Sequence, residues 1–580
     1  VEWFFDPFNS RRNGVWFQIG AAGSRGDALI GTRFEKSWDT IWDGRARVTS
    51  TGWQAEVAIP FRSLAFNPES TTWGFNLRRL RRSTNSEYRW TNIRQGGGLF
   101  FRVPDAGELT GLSDLDQGIG LDVSPFVLGR VQRTRLDANG ATIADPEWRD
   151  DPDAGLDVFY RLTPSLQVGV TVLTDFAETE NDNRQINLGR FPLFFPEKRD
   201  FFLRGASRFS FGPNDRSLLG FFSRRIGLDG DGGQIPLLVG TKMTGEQNGW
   251  EVGLLSTYMG TNETVDSERA LSVARIKRRL GPETTVGAIG TFGRPTQSGQ
   301  SGTFGADFYH REPDFIGDQE LQLWVYGMGT QNSEAGGDDF AYGVNAQTIG
   351  REWSFDARAR VVEDQFRPDL GFVRRAGVQE YRFRSNYRPR PTDSWIRSFR
   401  FELDPRTVLN TSGEVQDFDI DVIPFGFETQ EGDGLEIEFN RSYERVPSDF
   451  TILGDLVIPG AEYWTSRASI YLETSEGRPV VADFNFSSGD FYFGESDRIR
   501  GSLTWRPSAL LSLSGSYNET RGRLPGRSFV TRIGEAQVDF DFTPEVSLRN
   551  LFQYDNQSEN LGFQSRLRWI VRPGSDLFVV

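Results

Sequence analysis

The chain has 580 residues, 37% of them hydrophobic, a net charge of −15 and no cysteine. The missing cysteines exclude disulfide and thiol chemistry, and the acidic balance argues against general nucleic-acid binding, whose affinity comes from a net basic face. No run of about 18 apolar residues occurs, so no transmembrane helix is present.

Aromatic residues nevertheless reach 13%, with 48 Phe and 15 Trp, beside 64 Gly and only 3 Met. Short alternating segments broken by Gly, Asn, Asp and Pro fill most of the chain, which predicts an all-β protein. The basic clusters "RRLRR" (78–82) and "RIKRRL" (275–280) have acidic neighbours and read as solvated strand faces.

Residues 1–115 read as a β-sandwich domain, with strands expected at 1–6, 15–20, 27–34, 44–50, 53–59 and 73–81. The opening "VEWFFDPFNS" and the closing "SDLFVV" both read as strand interiors, so further sequence, including an export signal since removed, is expected outside both ends. Trp53 and Trp73 lie in alternating strands and are assigned to the core. Trp16, Trp38, Trp42 and Trp90 are the candidates for a sugar-stacking surface, with core packing as the competing reading.

From residue 119 onward the alternation is uniform. "LLSLSGSYN" sets Leu511, Leu513, Gly515 and Tyr517 against Ser512, Ser514, Ser516 and Asn518. "VQDFDIDV" opposes Phe418, Ile420 and Val422 to Asp417, Asp419 and Asp421, and "LGFQSRLRWIV" repeats the contrast with arginines. Short turns such as "TP" and "RPS" alternate with longer polar loops at 137–151 and 447–460. Long strands joined in this way, with Trp395, Trp464, Trp505 and Trp569 near their ends, predict a transmembrane antiparallel β-barrel of about 24 strands. Its apolar face would meet membrane lipid and its charged face would line the lumen.

One stretch breaks the pattern. "FPLFFPEKRDFF" (191–202) has neither helical period nor alternation, and Pro192 and Pro196 exclude a regular central strand. It falls in an insertion between a strand ending near Asp175 and one expected near Arg216. Its aromatic residues need burial. Residues 177–212 therefore read as a plug or constriction of the lumen, with Phe191, Phe194, Phe195, Phe201 and Phe202 packed and Glu197, Lys198, Arg199 and Asp200 anchored to wall charges.

Two chemical readings compete. Glu178, Glu180, Glu197 and Asp200 could supply the paired carboxylates of a glycoside hydrolase. Asp175, Glu178, Glu180 and Asp182 offer oxygen ligands suited to calcium but lack an EF-hand's central glycine, so a solvated acidic loop competes. No cofactor is otherwise indicated. The single His310 supports neither a zinc site nor a Ser-His-Asp triad.

The stretches "VEWFFDPFNSRRNGVWFQI", "WDTIWDGRARVTSTGWQAEVAIPFRSLAF" and "WGFNLRR" resemble a carbohydrate-binding module family 9-like domain. "TDFAETENDNRQINLGRFPLFFPEKRDFFLRGASRFSFG" (174–212) resembles the signature of the large C-terminal domain of unknown function that follows it in many bacterial outer-membrane proteins. The resemblance implies an outer-membrane location, a periplasmic N-terminal domain, and binding or passage of saccharide-type ligands. A third expectation is a structural anchor working with other envelope proteins. The family usually has Glu after "FFL" where this chain has Arg204, so an acid role is not carried over to that position.

Overall fold

The computed structural model describes all residues except 32–33, 37, 94–100, 117, 134–147, 175–181, 214, 230–232, 297–298, 333–338 and 573–574, and omits the side chains of 83, 128, 130–133 and 148–153. The N-terminal strands form where alternation places them: Glu2–Asp6, Gly14–Ile19, Arg25–Ile30, Asp43–Thr49, Gly52–Ala58 and Thr72–Arg81. Phe34–Glu35, Ser86–Arg89 and Gly107–Thr110, too short to show a period, complete a sheet of seven strands among the described residues, centred on Glu2–Asp6. The second layer of the expected sandwich is only the hairpin Asp43–Thr49/Gly52–Ala58. Its Trp53 and Val57, with Ile59 just beyond, close over Trp3, Phe17, Trp42 and Trp73 on one face of the sheet, while Phe4, Trp16, Ala28 and Ile30 pack on the other.

Among the described residues twenty-three strands follow in one antiparallel sheet, from Leu121–Arg133 to Ser575–Val579, each paired with the next strand of that sheet. The outer face is apolar and the inner face polar. Phe439, Ile470, Phe484, Leu503, Phe563 and Trp569 are exposed, whereas Lys242, Arg275, Glu380, Asp404 and Asp417, at inward register, are buried. A soluble sheet buries its apolar side. This one is inside out, which suits a lipid exterior.

Connections at one end are short, such as those after Thr163, Gln247, Ile316, Thr429 and Thr543. The N-terminal domain sits at that end and touches turns along the whole sheet. Phe66 N donates to Pro164 O (3.1 Å), Arg12 to Pro282 O (3.3 Å), Asn85 to Gln430 O (3.3 Å) and Arg82 to Glu476 O (2.7 Å). Arg568, on the strand Leu561–Arg572, reaches Asp39 at 3.1 Å. One small domain can meet both early and late turns only if the sheet curls into a ring. Leu121–Arg133 and Ser575–Val579 each have a single strand neighbour among the described residues.

Two expectations are corrected at the opposite end. No barrel strand begins near Arg216: Thr174 ends one strand and Leu237 begins the next, so the insertion runs from 175 to 236. Leu218–Leu219 pairs instead with Phe372–Val373 of the loop between Val362 and Val378, because both segments carry apolar residues that bury against each other. The 447–460 loop is not simply polar. It forms the hairpin Phe450–Ile452/Leu456–Ile458, whose Ile452, Leu456 and Ile458 are buried with Tyr463, Phe491 and Phe529. Of the 137–151 loop, residues from Trp148 belong to a strand and the rest lie outside the described residues.

Candidate functional site

The insertion enters the ring at the end away from the N-terminal domain, runs down its inside, and returns. Near its start Arg184 pairs with Asp555, and Leu188 packs on the cluster around Phe491. Arg190 Nε donates to Glu444 at 2.8 Å. Phe191 lies under the guanidinium groups of Arg190 (4.5 Å), Arg375 (5.2 Å) and Arg374 (5.7 Å). Phe194 stacks on Phe222 at 5.0 Å and meets Phe372 edge-on at 5.4 Å, and Arg224 covers Phe195.

The charged knot at 197–200 turns on Arg199. Glu197 accepts from Arg199 Nε (2.8 Å) and Nη2 (2.7 Å), Ser223 Oγ (2.7 Å) and the amides of Lys198 and Arg199. Arg199 also donates to Ile226 O (2.6 Å) and Ser223 O (2.9 Å), fastening the descending limb of the insertion to the returning one. Asp200 opens the single helical turn Asp200–Leu203 and accepts from Arg204 Nε at 2.8 Å. Glu197 and Asp200, two of the four carboxylates considered for hydrolysis, are thus engaged by cations. Arg204 also reaches Asp122 (3.4 Å) and covers Phe159 (4.5 Å).

At the bottom of the insertion Arg208 reaches Glu251 (2.9 Å) and Glu246 (3.4 Å), and Lys242 Nζ donates to the carbonyl oxygens of Phe201 and Arg204. On the way back Gly212 N donates to Asp307, which holds the buried Arg275, and Asp215 accepts from Arg358 (2.5 Å) and Arg360 (2.9 Å). The contacted strands run from the first, through Asp122, to the one bearing Asp555. The described residues of the insertion therefore lie against the inward face of the sheet.

Glycine makes room for it. A Cβ on Gly253 would lie 3.1 Å from the Phe209 ring, one on Gly240 3.1 Å from Phe201, and one on Gly305 2.8 Å from Phe211. These inward glycines let plug rings lie against bare backbone. Sequence reasoning missed this floor, along with the partner loop of Phe366, Leu370 and Phe372. It also misread "RIKRRL" as solvated: Arg275 is buried against Asp307, and Lys277 pairs with Glu251 at 2.9 Å.

Glu178, Glu180 and Asp175 lie outside the described residues. Asp182 is engaged by Arg224 and by Lys198 at 3.6 Å. Among the described residues no group of three His, Asp or Glu is placed to hold a metal ion. His310 Nδ1 is paired with Thr284 Oγ1 at 2.9 Å.

The structure divides the tryptophan set. Trp16 is buried, with its indole N–H donated to Glu2 at 3.3 Å. Trp42 is buried and donates to Asp27 at 2.8 Å, and Trp38 packs edge-on against Phe17 at 6.4 Å. Their stacking faces are used in packing, and the core assignment replaces the sugar surface for Trp16 and Trp42. Trp90, 54% exposed and resting on Phe75 at 5.2 Å, keeps a free face. Burial, reinforced by the nearby Asp39 charge, pushes the Asp27 carboxyl up to about 7.

Residues 119–246 match a family described as a domain of unknown function, DUF5916. No curated protein matches the chain. Among solved structures it is similar to the siderophore receptor PirA from Pseudomonas aeruginosa (8% identity, 73% of this chain and 70% of that one, TM-score 0.39). It is also similar to OccAB3 from Acinetobacter baumannii (10% identity, 56% and 95%, TM-score 0.32) and to the P pilus usher PapC translocation pore (9% identity, 97% and 98%, TM-score 0.29). At such values the assignment of architecture rests on this chain's own geometry. The fold is that of a large antiparallel β-barrel of outer-membrane type.

Proposed function

We propose that the protein is an outer-membrane barrel that binds or passes saccharide-type solutes, with residues 175–236 as the element that closes its lumen. The observation that carries this reading is the set of ion pairs and one amide hydrogen bond joining one internal segment to strands around the ring, from Asp122 through Asp307, Arg358 and Glu444 to Asp555. Such a segment blocks diffusion while in place. Its attachments also include buried packing of Phe201, Phe202, Phe209 and Phe211 against the wall, so opening has to displace these rings as well as the charge pairs.

Saccharides suit the part of the wall that the insertion does not pair with. Ser514, Ser516, Asn518, Asn485 and Gln537 present hydroxyl and amide groups at inward register, the chemistry that hydrogen-bonds sugar hydroxyls. The short-turn end, where the N-terminal domain sits, is the periplasmic end in barrels of this type. Trp90 is the exposed ring there on which a sugar could stack.

Single-channel conductance in planar bilayers tests the closure, comparing the full chain with a variant in which residues 177–234 are replaced by a short Gly-Ser linker. Closed full-length protein and large conductance steps in the deletion variant are expected; two equally closed proteins would sink the reading. Liposome swelling with the deletion variant tests the solute. Faster entry of oligosaccharides than of similarly sized polyethylene glycols is expected, and equal entry removes saccharides from the proposal.

A further inference from the structure

Nearly every inward arginine along the path of the insertion faces a carboxylate. Arg275 pairs with Asp307, Arg360 with Glu380, Arg382 and Arg384 with Asp404, Arg400 with Glu436 and Arg406 with Asp419. One patch of wall departs from this rule. It lies on the strands Glu462–Glu473, Val480–Phe491 and Gly494–Trp505, just inside the apolar cap formed by Leu188 and the Phe450–Ile458 hairpin.

Arg467 reaches across the middle strand and donates only to neutral acceptors: Ser487 Oγ (3.4 Å), Ser496 O (3.1 Å), Ser496 Oγ (2.7 Å) and Asp490 O (3.0 Å). Arg498 stands opposite Ser487, and Arg500 opposite Asn485, at the same inward register. Among the described residues neither has a carboxylate within ion-pair distance, and the Nε of Arg498 is buried without a hydrogen-bond partner. The charged groups acting most strongly on Arg498 are Arg467 and Arg500, both cations, and then Tyr492. Of the neighbouring acids, Asp490 and Asp497 stand at the outward register, Asp490 accepting from Ser466 N (2.8 Å) and Asp497 from Ser488 Oγ (2.7 Å) and Arg523 (2.7 Å), while Asp483, at the inward register, accepts from Ser502 Oγ.

Asp497 and Asp490 act favourably on Arg467, but the adjacent guanidinium groups of Arg498 and Arg500 have no ion-pair partner among the described residues and repel, and the partly buried Arg498 retains an unmet donor. Both costs disappear when an oxyanion sits between them, because a phosphate, sulfate or carboxylate accepts paired N–H donors from a guanidinium. We propose that Arg467, Arg498 and Arg500 form an oxyanion-binding subsite on the lumen wall, which makes the preferred solute an acidic rather than a neutral saccharide. This rests on the lumen reading above for the identity of the solute, but not for the binding itself.

Isothermal titration of inorganic pyrophosphate into the folded full chain in detergent, at low ionic strength, tests the subsite. Wild type is expected to bind saturably, Arg498→Gln to bind at least tenfold more weakly, and Arg498→Lys to fall between them. Arg527→Gln, which removes a charge paired with Asp455 at the exposed loop end, is expected to match wild type. Absence of saturable binding, or equal affinity in wild type and Arg498→Gln, overturns the proposal. A heat-sensitive gel shift confirms that each variant is folded.

Reversal potentials in the channel lacking residues 177–234 provide the second measurement. Arg498→Gln is expected to shift selectivity toward potassium over chloride, and an unchanged potential counts against the subsite. A channel that opens on deletion but binds no pyrophosphate leaves the closure reading standing and removes the subsite. Pyrophosphate binding by a protein that never conducts does the reverse.

Discussion

At Arg199 three demands meet: it neutralises Glu197, satisfies the carbonyls of Ser223 and Ile226, and lies 4.3 Å over the Phe202 ring. Removing one member of a buried, hydrogen-bonded ion pair costs about 3–5 kcal/mol, because the partner is left charged and unpaired. Arg199→Ala should therefore loosen both limbs of the insertion. Hydrogen exchange should speed up over residues 197–226 by two or more orders of magnitude while barrel strands stay protected; unchanged protection in the insertion would show that Arg199 does not fasten it. Asp27 gives a pH prediction. Its folded-state pKa, about 7, lies above the ordinary 3.8, so the folded domain binds the extra proton between those values. The associated stability is complete below about pH 4 and is lost as pH rises through 7, on the order of 2 kcal/mol for a partly exposed group. Exchange over residues 25–45 should accelerate from pH 5 to pH 8 beyond the intrinsic rate, and Asp27→Asn should flatten that dependence.

Among the elements, the insertion fits because the strands beneath it lack side chains where its rings lie. Gly253→Leu and Gly305→Leu keep the strand but force Phe209 or Phe211 off the wall. Overpacking of this kind costs about 1–3 kcal/mol, enough to shift the insertion without unfolding the barrel. Either variant is expected to show intermittent conductance in bilayers where wild type is closed; silent channels in both would mean that the floor does not hold the plug. The insertion was only partly legible beforehand. Pro192, Pro196 and the unperiodic aromatics marked a non-strand, but its extension to residue 236 was hidden. Leu218–Leu219 and Phe221–Phe222 read locally like a strand, and only their pairing and ring contacts with Phe372 reveal a second internal layer.

For the whole molecule, the N-terminal domain is fastened under the ring by a few strong contacts. Arg102 pairs with the fully buried Glu320 at 2.6 Å, and Glu320 also holds Arg311 at 2.7 Å. On the opposite turns Asp39 meets Arg568, which is shared with Asp576 at 2.6 Å. Combining Arg102→Ala with Asp39→Asn should detach the domain without unfolding it. Protease susceptibility of the 111–120 linker should rise several-fold in raised salt, since the remaining contacts at exposed positions are screened. Unchanged cleavage would assign the docking to the apolar contacts instead.

The sequence by itself determined the strands, their alternation and which face of each is apolar, because the two-residue period is a local property of the chain. Leu511, Leu513 and Tyr517 could be set against Ser512, Ser514 and Ser516 without any knowledge of neighbours. The chain also showed that something interrupts the barrel near residue 191. Only the tertiary structure decided which cations meet which acids, since Arg204 and Asp122, or Asp215 and Arg358, are far apart in sequence and meet only when the sheet curls. It alone also decided that Trp16 and Trp42 are core, because a tryptophan in a strand looks the same from sequence whether its ring faces a neighbouring layer or solvent. The unpaired arginines at 467, 498 and 500 belong to the same class. Each is ordinary in sequence, and their lack of an ion-pair partner is visible only across three adjacent strands.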